Sequence, residues 1–199
     1  MADDSRLAPA LYRAAARALF APFGGLDAVR RRALDALDVG PGARVLELGC
    51  GPGALTAALV ARRAHVHAVD RSPTMLRAAA HRAPSAQFER ADVRRFVPAA
   101  TYDAVLLAFV LHELPAPDVR AAVGRAAGAL APGGRLVVLD HAAPSGLAGR
   151  AWRVVLRTVE SPAIEAWLDL DLVAVLRGAG LLPGRDQELA GGRVRLLVS

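Results

Sequence analysis

The sequence predicts an α/β fold in which a mostly parallel β-sheet carries helices on both faces. From residue 44 onward, short runs rich in Val and Leu alternate with longer helical stretches, and this alternation requires parallel strands joined by crossover helices. The second observation is length, since 199 residues suffice for one domain with a sizeable core. Near the end, Gly191-Gly192 separates two β-rich runs and predicts a hairpin, which adds antiparallel character at one edge.

Residues up to about 40 lie outside this alternation. They contain two amphipathic helical stretches, at 7–20 and 26–37, separated by Pro22-Phe23-Gly24-Gly25. We therefore expect an N-terminal helical extension at 1–40, which packs on the domain or covers its mouth as a lid. The main domain is expected at 41–199.

The elements of the main domain follow from local residue patterns. Strands are predicted at 44–48, 65–69, 86–91, 102–108, 135–139, roughly 183–189 and 193–198; the apolar run at 102–108 is typical of a strand buried on both faces. Helices are predicted at 54–63, 73–82, 118–130 and 169–179. Pro73 lies near the first turn of the second of these helices. Pro132-Gly133-Gly134 and Gly180 are expected to stop the helices that precede them.

The charged residues limit the chemistry and the partners that we expect. The net charge is +6, and all 25 basic residues are Arg because the sequence contains no Lys. The arginines are scattered, and their longest run, Arg30-Arg31-Arg32, is typical of a solvated helix face rather than a nucleic-acid site. The missing Lys excludes Schiff-base chemistry, a P-loop lysine and the Tyr/Lys pair of short-chain dehydrogenases.

Three absences predict a cytoplasmic protein without a transmembrane segment. The sequence has no apolar run of the roughly eighteen residues that a spanning helix needs, and its first residues lack the pattern of a secretory signal. The single cysteine, Cys50, cannot form an intrachain disulfide and suits a reducing compartment. Peripheral contact with a membrane is left open, and the sequence does not predict an oligomeric state.

The loop after the first strand carries three glycines, Gly49, Gly51 and Gly53. Ligands of open parallel sheets bind beyond the carboxyl ends of the strands, and glycines there let the backbone turn sharply and approach a ligand closely. Asp70 ends the second strand, where a carboxylate accepts both hydroxyls of a ribose. Asp92 follows the third strand and is placed to receive an exocyclic adenine amine. The pattern predicts a ligand that contains a nucleoside.

The same loop also permits an NAD-binding interpretation. The sequence Gly49-x-Gly51-x-x-Ala54 fits the relaxed dinucleotide fingerprint. Two residues favour a different cofactor, because Glu47 precedes the first glycine by two positions and Gly53 occupies a position that the fingerprint leaves free.

Five motifs, in order, resemble those of class I, Rossmann-like S-adenosylmethionine-dependent methyltransferases. They lie at 45–53, 69–76, 91–93, 102–114 and 130–140, so the resemblance covers roughly residues 41–141. The residues after 141 agree with the family only in their predicted arrangement of secondary structure. The sequence as a whole is similar to those of the small-molecule methyltransferases, a group that includes the ubiquinone/menaquinone methyltransferases. The resemblance implies a doubly wound, seven-stranded sheet with an antiparallel last strand. It also implies S-adenosylmethionine as cofactor, with S-adenosylhomocysteine as product.

The resemblance assigns cofactor contacts residue by residue. It implies that Glu47 and the loop backbone hold the methionine part, that Asp70 holds the ribose, and that Met75 packs on the adenine. Cys50 is expected to be a small packing residue rather than a nucleophile. The predicted cofactor-binding residues are Glu47, Gly49, Cys50, Gly51, Gly53, Asp70, Arg71, Met75, Asp92, Val93, Ala108 and Phe109.

Two histidines are the candidates for catalysis. The cofactor already carries an activated methyl group, so the protein mainly positions the reactants and excludes water; a base is needed only if the acceptor must lose a proton. His112 and His141 follow the fourth and fifth strands, which should be neighbours, and either residue is predicted as a base or as a group that orients the acceptor. His65, His67 and His81 are expected to be structural or exposed. No metal site is expected.

The acceptor pocket is predicted to draw on two regions of the chain. The first supplies Tyr12, Phe20 and Phe23, and the segment 147–167 supplies Trp152 and Arg157. Arg150, Arg153 and Arg157 would share one helix face, either to bind an anionic head group or as solvated residues.

The predicted activity is methyl transfer to O, N or C of a small-molecule or lipid-like acceptor. One alternative is a catalytically silent S-adenosylmethionine-binding scaffold, and another is an NAD-dependent oxidoreductase.

Overall fold

A computed structural model describes residue Ala21 and residues 25–199. The predicted helical stretch at 7–20 lies outside the described residues, as do the candidate pocket residues Tyr12, Phe20 and Phe23.

Strands and helices alternate along the described residues, as the sequence predicts. The strands are β1 (Arg44–Leu48), β2 (His65–Asp70), β3 (Gln87–Arg90), β4 (Tyr102–Ala108), β5 (Leu130–His141), β6 (Arg185–Leu189) and β7 (Val194–Val198). The helices are α1 (Leu26–Leu37), α2 (Ala54–Ala61), α3 (Pro73–Arg82), α4 (Ala116–Gly128), α5 (Gly146–Val159), α6 (Ile164–Leu168) and α7 (Leu172–Gly178), with a short 3-10 helix at Leu111–Glu113.

The seven strands of the described residues form one sheet in the order β3-β2-β1-β4-β5-β7-β6. The neighbours from β3 to β5 pair in parallel, whereas β7 runs antiparallel to both β5 and β6. The predicted doubly wound sheet with an antiparallel last strand is therefore confirmed. The strand order reverses between β1 and β4, and in such sheets the crevice at the reversal is where ligands bind.

The two faces of the sheet carry separate apolar cores. Alternate residues of β4 point to opposite faces, so that Leu107 belongs to one core and Leu106 to the other. Helices α4, α5 and α7 cover the first face, and α1 and α2 cover the second. Leu37 of α1 is fully buried in that second core.

The boundary between α4 and β5 differs from the prediction. Pro132-Gly133-Gly134 does not precede the strand but lies inside it, because β5 begins at Leu130 and α4 already ends at Gly128. The register moves from Tyr102 opposite Leu130 to Ala104 opposite Arg135, so a bulge accommodates the extra residues. A Cβ at Gly134 would lie 3.0 Å from the carbonyl oxygen of Tyr102. Glycine therefore permits the close approach of the two strands.

The last helix, α7, also begins later than predicted. Asp171 is its N-cap, and its side chain accepts a hydrogen bond from the backbone N–H of Ala174. Within the described ranges, none of the helices combines the length and the apolar character that crossing a membrane requires.

Candidate active site

A cavity of about 240 Å³ opens at the carboxyl ends of β1, β2 and β4. All of the predicted cofactor-binding residues line it except Gly53. Its other lining residues are Arg30, Pro52, Ala54, Leu55, Ser72, Val110, Glu113 and Leu114. The fold therefore gathers residues from motifs that are far apart in sequence around one space.

Glycine is needed at the three positions of the loop for different structural reasons. A Cβ at Gly49 would lie 2.5 Å from Cγ2 of Val110, and one at Gly53 would lie 2.7 Å from the Cα of Ala79. Both have positive φ angles, of 78° and 76°, so close packing and backbone conformation both require glycine there. A Cβ at Gly51 would meet no atom within 4 Å. Gly51 also has a positive φ angle, of 52°, but it leaves open space at the cavity, which fits a ligand lying against the loop.

Asp70 fixes the glycine loop to the end of β2. One carboxylate oxygen accepts a 2.8 Å hydrogen bond from the backbone N–H of Gly51, and the other accepts one of 2.8 Å from Ser72. Each oxygen keeps a further lone pair for a ligand donor. Asp70 is therefore held in place before any ligand binds.

Glu47 is a buried carboxyl group at the floor of the cavity. It is 2% exposed, and its oxygen accepts a 2.5 Å hydrogen bond from the hydroxyl of Thr56. Burial raises the pKa of Glu47 to about 8, even though the Thr56 hydrogen bond and the charge of Arg30 lower it. A cationic group placed beside Glu47 would favour its ionised form.

Arg30 is a cavity residue that the sequence pattern does not predict. We expected the run Arg30-Arg31-Arg32 to be a solvated face, and Arg31 and Arg32 are indeed exposed. The Arg30 side chain is only 19% exposed and lines the cavity from α1. Helical spacing indicates which residues share a face, but the contact between α1 and the cavity depends on tertiary packing.

Asp92 already has a cationic partner, Arg94. The Arg94 Nε donates hydrogen bonds of 2.8 and 2.9 Å to the two Asp92 oxygens, and its Nη1 donates one of 3.0 Å to Asp118. The hydrogen bonding from Arg94 lowers the pKa of Asp92 to about 2. A ligand amine at this position would share Asp92 with Arg94, which the sequence motif did not reveal.

Phe109 forms part of the cavity wall in an uncommon backbone conformation. Its φ angle is 54°, a left-handed value that is rare for a large side chain and stores strain. Its backbone N–H donates a 2.8 Å hydrogen bond to the carbonyl of Leu139. Its ring lies 5.2 Å from the ring of His141, edge to face.

Behind this wall lie four polar side chains that we call the histidine cluster: His112, Asp140, His141 and Glu160. His112 Nδ1 lies 2.6 Å from an Asp140 oxygen, and its Nε2 lies 3.1 Å from a Glu160 oxygen. His141 Nε2 lies 3.3 Å from the other Glu160 oxygen. His112 and His141 are 3% and 5% exposed, and neither lines the cavity.

The carboxylates of the cluster decide the charge of His112. Burial by itself lowers the pKa of His112, but Asp140 and Glu160 together outweigh it and hold this pKa at about 10. Burial likewise raises the pKa of Glu160, and hydrogen bonds from His112 and His141 overcome it and bring the value to about 2. Both ring nitrogens of His112 face carboxylates, so a base role for His112 or His141 stays a prediction.

The two described residues predicted for the acceptor pocket lie away from the cavity. Trp152 is buried, and its Nε1 donates a 3.0 Å hydrogen bond to the carbonyl of Ala142. Arg157 donates a 2.6 Å hydrogen bond to Glu165, and Arg153 pairs with Glu165 and Asp169. Arg153 and Arg157 thus form ion pairs within the protein. This is a third role for the helix face, besides the two predicted ones of binding an anionic head group and facing solvent.

Comparison with known proteins identifies relatives of this chain. A family model described as a methyltransferase domain matches residues 45–134. Demethylmenaquinone methyltransferase of Tropheryma whipplei is 31% identical over 190 residues, which cover 84% of this chain and 78% of that protein. Trans-aconitate 2-methyltransferase of Methylobacterium nodulans is 39% identical over 128 residues, or 63% of this chain. The match spans about half of that relative, 48% of its length.

Solved structures share the fold. A TehB-like S-adenosylmethionine-dependent methyltransferase from Corynebacterium glutamicum superposes with a TM-score of 0.72 at 21% identity, over 98% of both chains. The N-methyltransferase NodS from Bradyrhizobium japonicum, in complex with S-adenosyl-L-homocysteine, superposes with a TM-score of 0.67 at 22% identity, over 85% of this chain and 83% of NodS. The relatives, together with the strand order and the cavity at its reversal, show that this chain belongs to the class I S-adenosylmethionine-dependent methyltransferases.

Proposed function

We propose that this chain transfers the methyl group of S-adenosylmethionine to O, N or C of a small-molecule acceptor. The observation that carries the proposal is the cavity, which is lined by the glycine loop, Glu47 and Asp70. The names of two relatives, trans-aconitate and demethylmenaquinone methyltransferases, point to acceptors that are small molecules.

The residues of the cavity fit the two polar ends of this cofactor. Glu47 and Arg30 lie at the end near α1. Arg30 offers a cation for the carboxylate of the methionine part, and Glu47 would ionise beside its ammonium group. Asp70 is held by two backbone N–H groups and retains lone pairs for ribose hydroxyls. Gly51 leaves room for close approach to the loop.

The protein's contribution to the reaction is positioning. When bound, S-adenosylmethionine supplies a methyl group on a cationic sulfonium and a neutral leaving group. Phe109 and Val110 wall the cavity where β4 ends, so they exclude water from that side and limit the approach of an acceptor. Both ring nitrogens of His112 already contact carboxylates, those of Asp140 and Glu160, and we therefore propose that the main catalytic contribution is orientation.

A lipid-like acceptor is a second version of the proposal. Three apolar side chains of α5 are largely exposed, namely Leu147 at 80%, Val154 at 58% and Val159 at 54%. Such a surface suits a hydrophobic acceptor or the membrane that carries it. Turnover with a quinol in detergent, but not with water-soluble acids, would distinguish this version.

Calorimetric titration with S-adenosylhomocysteine tests the cofactor part of the proposal. We expect the wild type to bind, and Asp70→Asn to bind roughly 30-fold more weakly because charge-assisted hydrogen bonds are lost. Asp103→Asn is the matched control, since Asp103 accepts a hydrogen bond from the Arg44 backbone at the opposite end of β1. Absence of binding by the wild type would refute the proposal.

Release of S-adenosylhomocysteine tests the transfer itself. The purified protein is incubated with S-adenosylmethionine and a panel of small carboxylic acids, amines, phenols and quinols, and product is measured by mass spectrometry. Product above the acceptor-free control is the expected result. Binding without turnover on the whole panel would favour the silent-scaffold alternative.

A further inference from the structure

The histidine cluster joins three parts of the chain that are distant in sequence. His112 lies in the 3-10 helix after β4, Asp140 and His141 end β5, and Glu160 follows α5. The imidazole rings of His112 and His141 are 4.6 Å apart. Both Nε2 atoms face the same carboxylate, that of Glu160. Methyl transfer as proposed above makes no use of this arrangement.

The hydrogen count at His112 requires a second proton or a metal ion in the cluster. A neutral imidazole carries one N–H, and its other nitrogen has only a lone pair. If Nδ1–H donates to Asp140 at 2.6 Å, the lone pair on Nε2 faces a Glu160 oxygen at 3.1 Å. Two lone pairs at this distance repel each other. Either a second proton or a metal ion must therefore lie between His112 and Glu160.

The spacing of the donor atoms suits a metal ion. Zinc binds histidine nitrogen and carboxylate oxygen at about 2.0–2.2 Å, which at the tetrahedral angle places neighbouring ligand atoms about 3.3–3.6 Å apart. The two nitrogen-to-oxygen distances, 3.1 and 3.3 Å, lie within 0.2 Å of the lower end of this range. The donor atoms of His112, His141 and Glu160 all lie within 4.8 Å of one another.

Asp140 orients the first of these ligands. A carboxylate that accepts the Nδ1–H of a metal-binding histidine fixes its tautomer and directs Nε2 at the ion. Asp140 is 1% exposed, and it also accepts hydrogen bonds from the backbone N–H groups of Leu111 and His141, at 2.9 and 2.7 Å. Asp140 is therefore rigid and cannot turn toward the ion itself.

We infer that His112, His141 and Glu160 bind a divalent transition-metal ion, with Asp140 holding His112 in place. Two histidines and one glutamate form a ligand set that zinc uses with a further position open. The Glu160 side chain is 22% exposed, which gives that position contact with solvent. A second cavity, of about 390 Å³, is lined by His141, Glu188 and the ion pair of Asp186 with Arg195, and it offers a route to His141.

The ion would connect the end of α5 to the ends of β4 and β5. His141 packs against Phe109, and Phe109 lines the cofactor cavity. The metal would therefore support the cavity wall from behind, through the contact of His141 with Phe109.

Titration of the untagged, metal-stripped protein with Zn²⁺ tests this inference without S-adenosylmethionine. We expect one ion per chain by calorimetry and a higher melting temperature when Zn²⁺ is present. Glu160→Gln and His112→Gln should each weaken binding by roughly 100-fold or more, since loss of a supporting residue alone costs 10–100-fold. A double variant of the exposed histidines, His65→Gln with His81→Gln, should bind like the wild type.

Co²⁺ provides a second measurement that does not depend on a stable variant. The wild type should give the visible absorption of cobalt bound by nitrogen and oxygen ligands, and Zn²⁺ should displace it. The inference is overturned if the wild type binds neither ion, because a proton would then satisfy the cluster. It is also overturned if Glu160→Gln and His112→Gln retain wild-type affinity. Neither result bears on binding of S-adenosylhomocysteine, so the proposed methyl transfer stands or fails separately.

Discussion

Glu47 should make the stability of the cofactor-free protein depend on pH. Its pKa is about 8 in the fold, against 4.5 for an ordinary glutamate. The folded state therefore holds this proton more tightly than the unfolded chain does. The resulting stabilisation is complete below about pH 4.5 and is lost as the pH rises through 8.

The size of the effect follows from the two pKa values. Each pKa unit corresponds to about 1.4 kcal/mol, so Glu47 lowers the free energy of unfolding by about 4 kcal/mol between pH 4.5 and pH 8. Glu47→Gln keeps the size of the side chain but cannot ionise. Its free energy of unfolding should therefore lack this part of the pH dependence.

Urea denaturation followed by circular dichroism at pH 5, 6, 7 and 8 measures the effect. Other groups titrate in both proteins, so the difference between the wild type and Glu47→Gln isolates Glu47. Glu188→Gln, a change at an exposed position on β6, should follow the wild type. Parallel curves for the wild type and Glu47→Gln would refute the reasoning.

Three further predictions concern the loop, the cofactor and the region around His141. Gly53→Ala should lower the free energy of unfolding by roughly 2–4 kcal/mol in urea denaturation, because of its positive φ and the contact with Ala79. Gly51→Ala should cost about 1–2 kcal/mol, because alanine would adopt a left-handed φ of 52° without a steric contact, but it should reduce affinity for S-adenosylhomocysteine at least tenfold. A stability loss as large as or larger than that of Gly53→Ala would contradict this. Binding of S-adenosylhomocysteine at pH 7 should release a proton from Glu47, because the ligand's ammonium group favours the ionised carboxylate. The calorimetric heat of binding should then change with the ionisation enthalpy of the buffer. A heat that is the same in all buffers would count against contact between Glu47 and the ammonium group. Trp167→Phe should destabilise the protein by about 1–2 kcal/mol, since the Trp167 Nε1 donates a 2.8 Å hydrogen bond to the carbonyl of His141; a thermal melt identical to the wild type would exclude that contribution.

Local sequence patterns predicted the elements whose limits are set by local chemistry. β1, β4 and α3 have the predicted bounds. At α3, Ser72 caps the helix by accepting the Met75 N–H, and Pro73 follows. The predicted start of β5 was wrong, because Pro132-Gly133-Gly134 is locally typical of a segment that interrupts a helix or strand. Only the pairing with β4 shows that the segment forms a bulge in a strand.

The site also combines residues that local sequence predicts with residues that only tertiary packing brings to it. The residues around the glycine loop are predictable because each follows directly from a strand end. Arg30, Arg94 and Glu160 are not, since their roles depend on contacts made by α1, by Asp118 and by the end of α5. No local spacing relates Glu160 to His112, because the packing of α5 brings them together.

The packing of α1 has a consequence for how the chain can be divided. Leu34 and Leu37 of α1 belong to the same core as Leu139 of β5 and Leu196 of β7. Burial of one leucine contributes about 1.5–3 kcal/mol, and an ordinary domain is stable by only about 5–15 kcal/mol in total. A fragment beginning at residue 41 would therefore expose that face to water and lose much of its stability. Since Arg30 lies on the same helix, substitutions at the buried positions of α1 would alter folding and ligand affinity together.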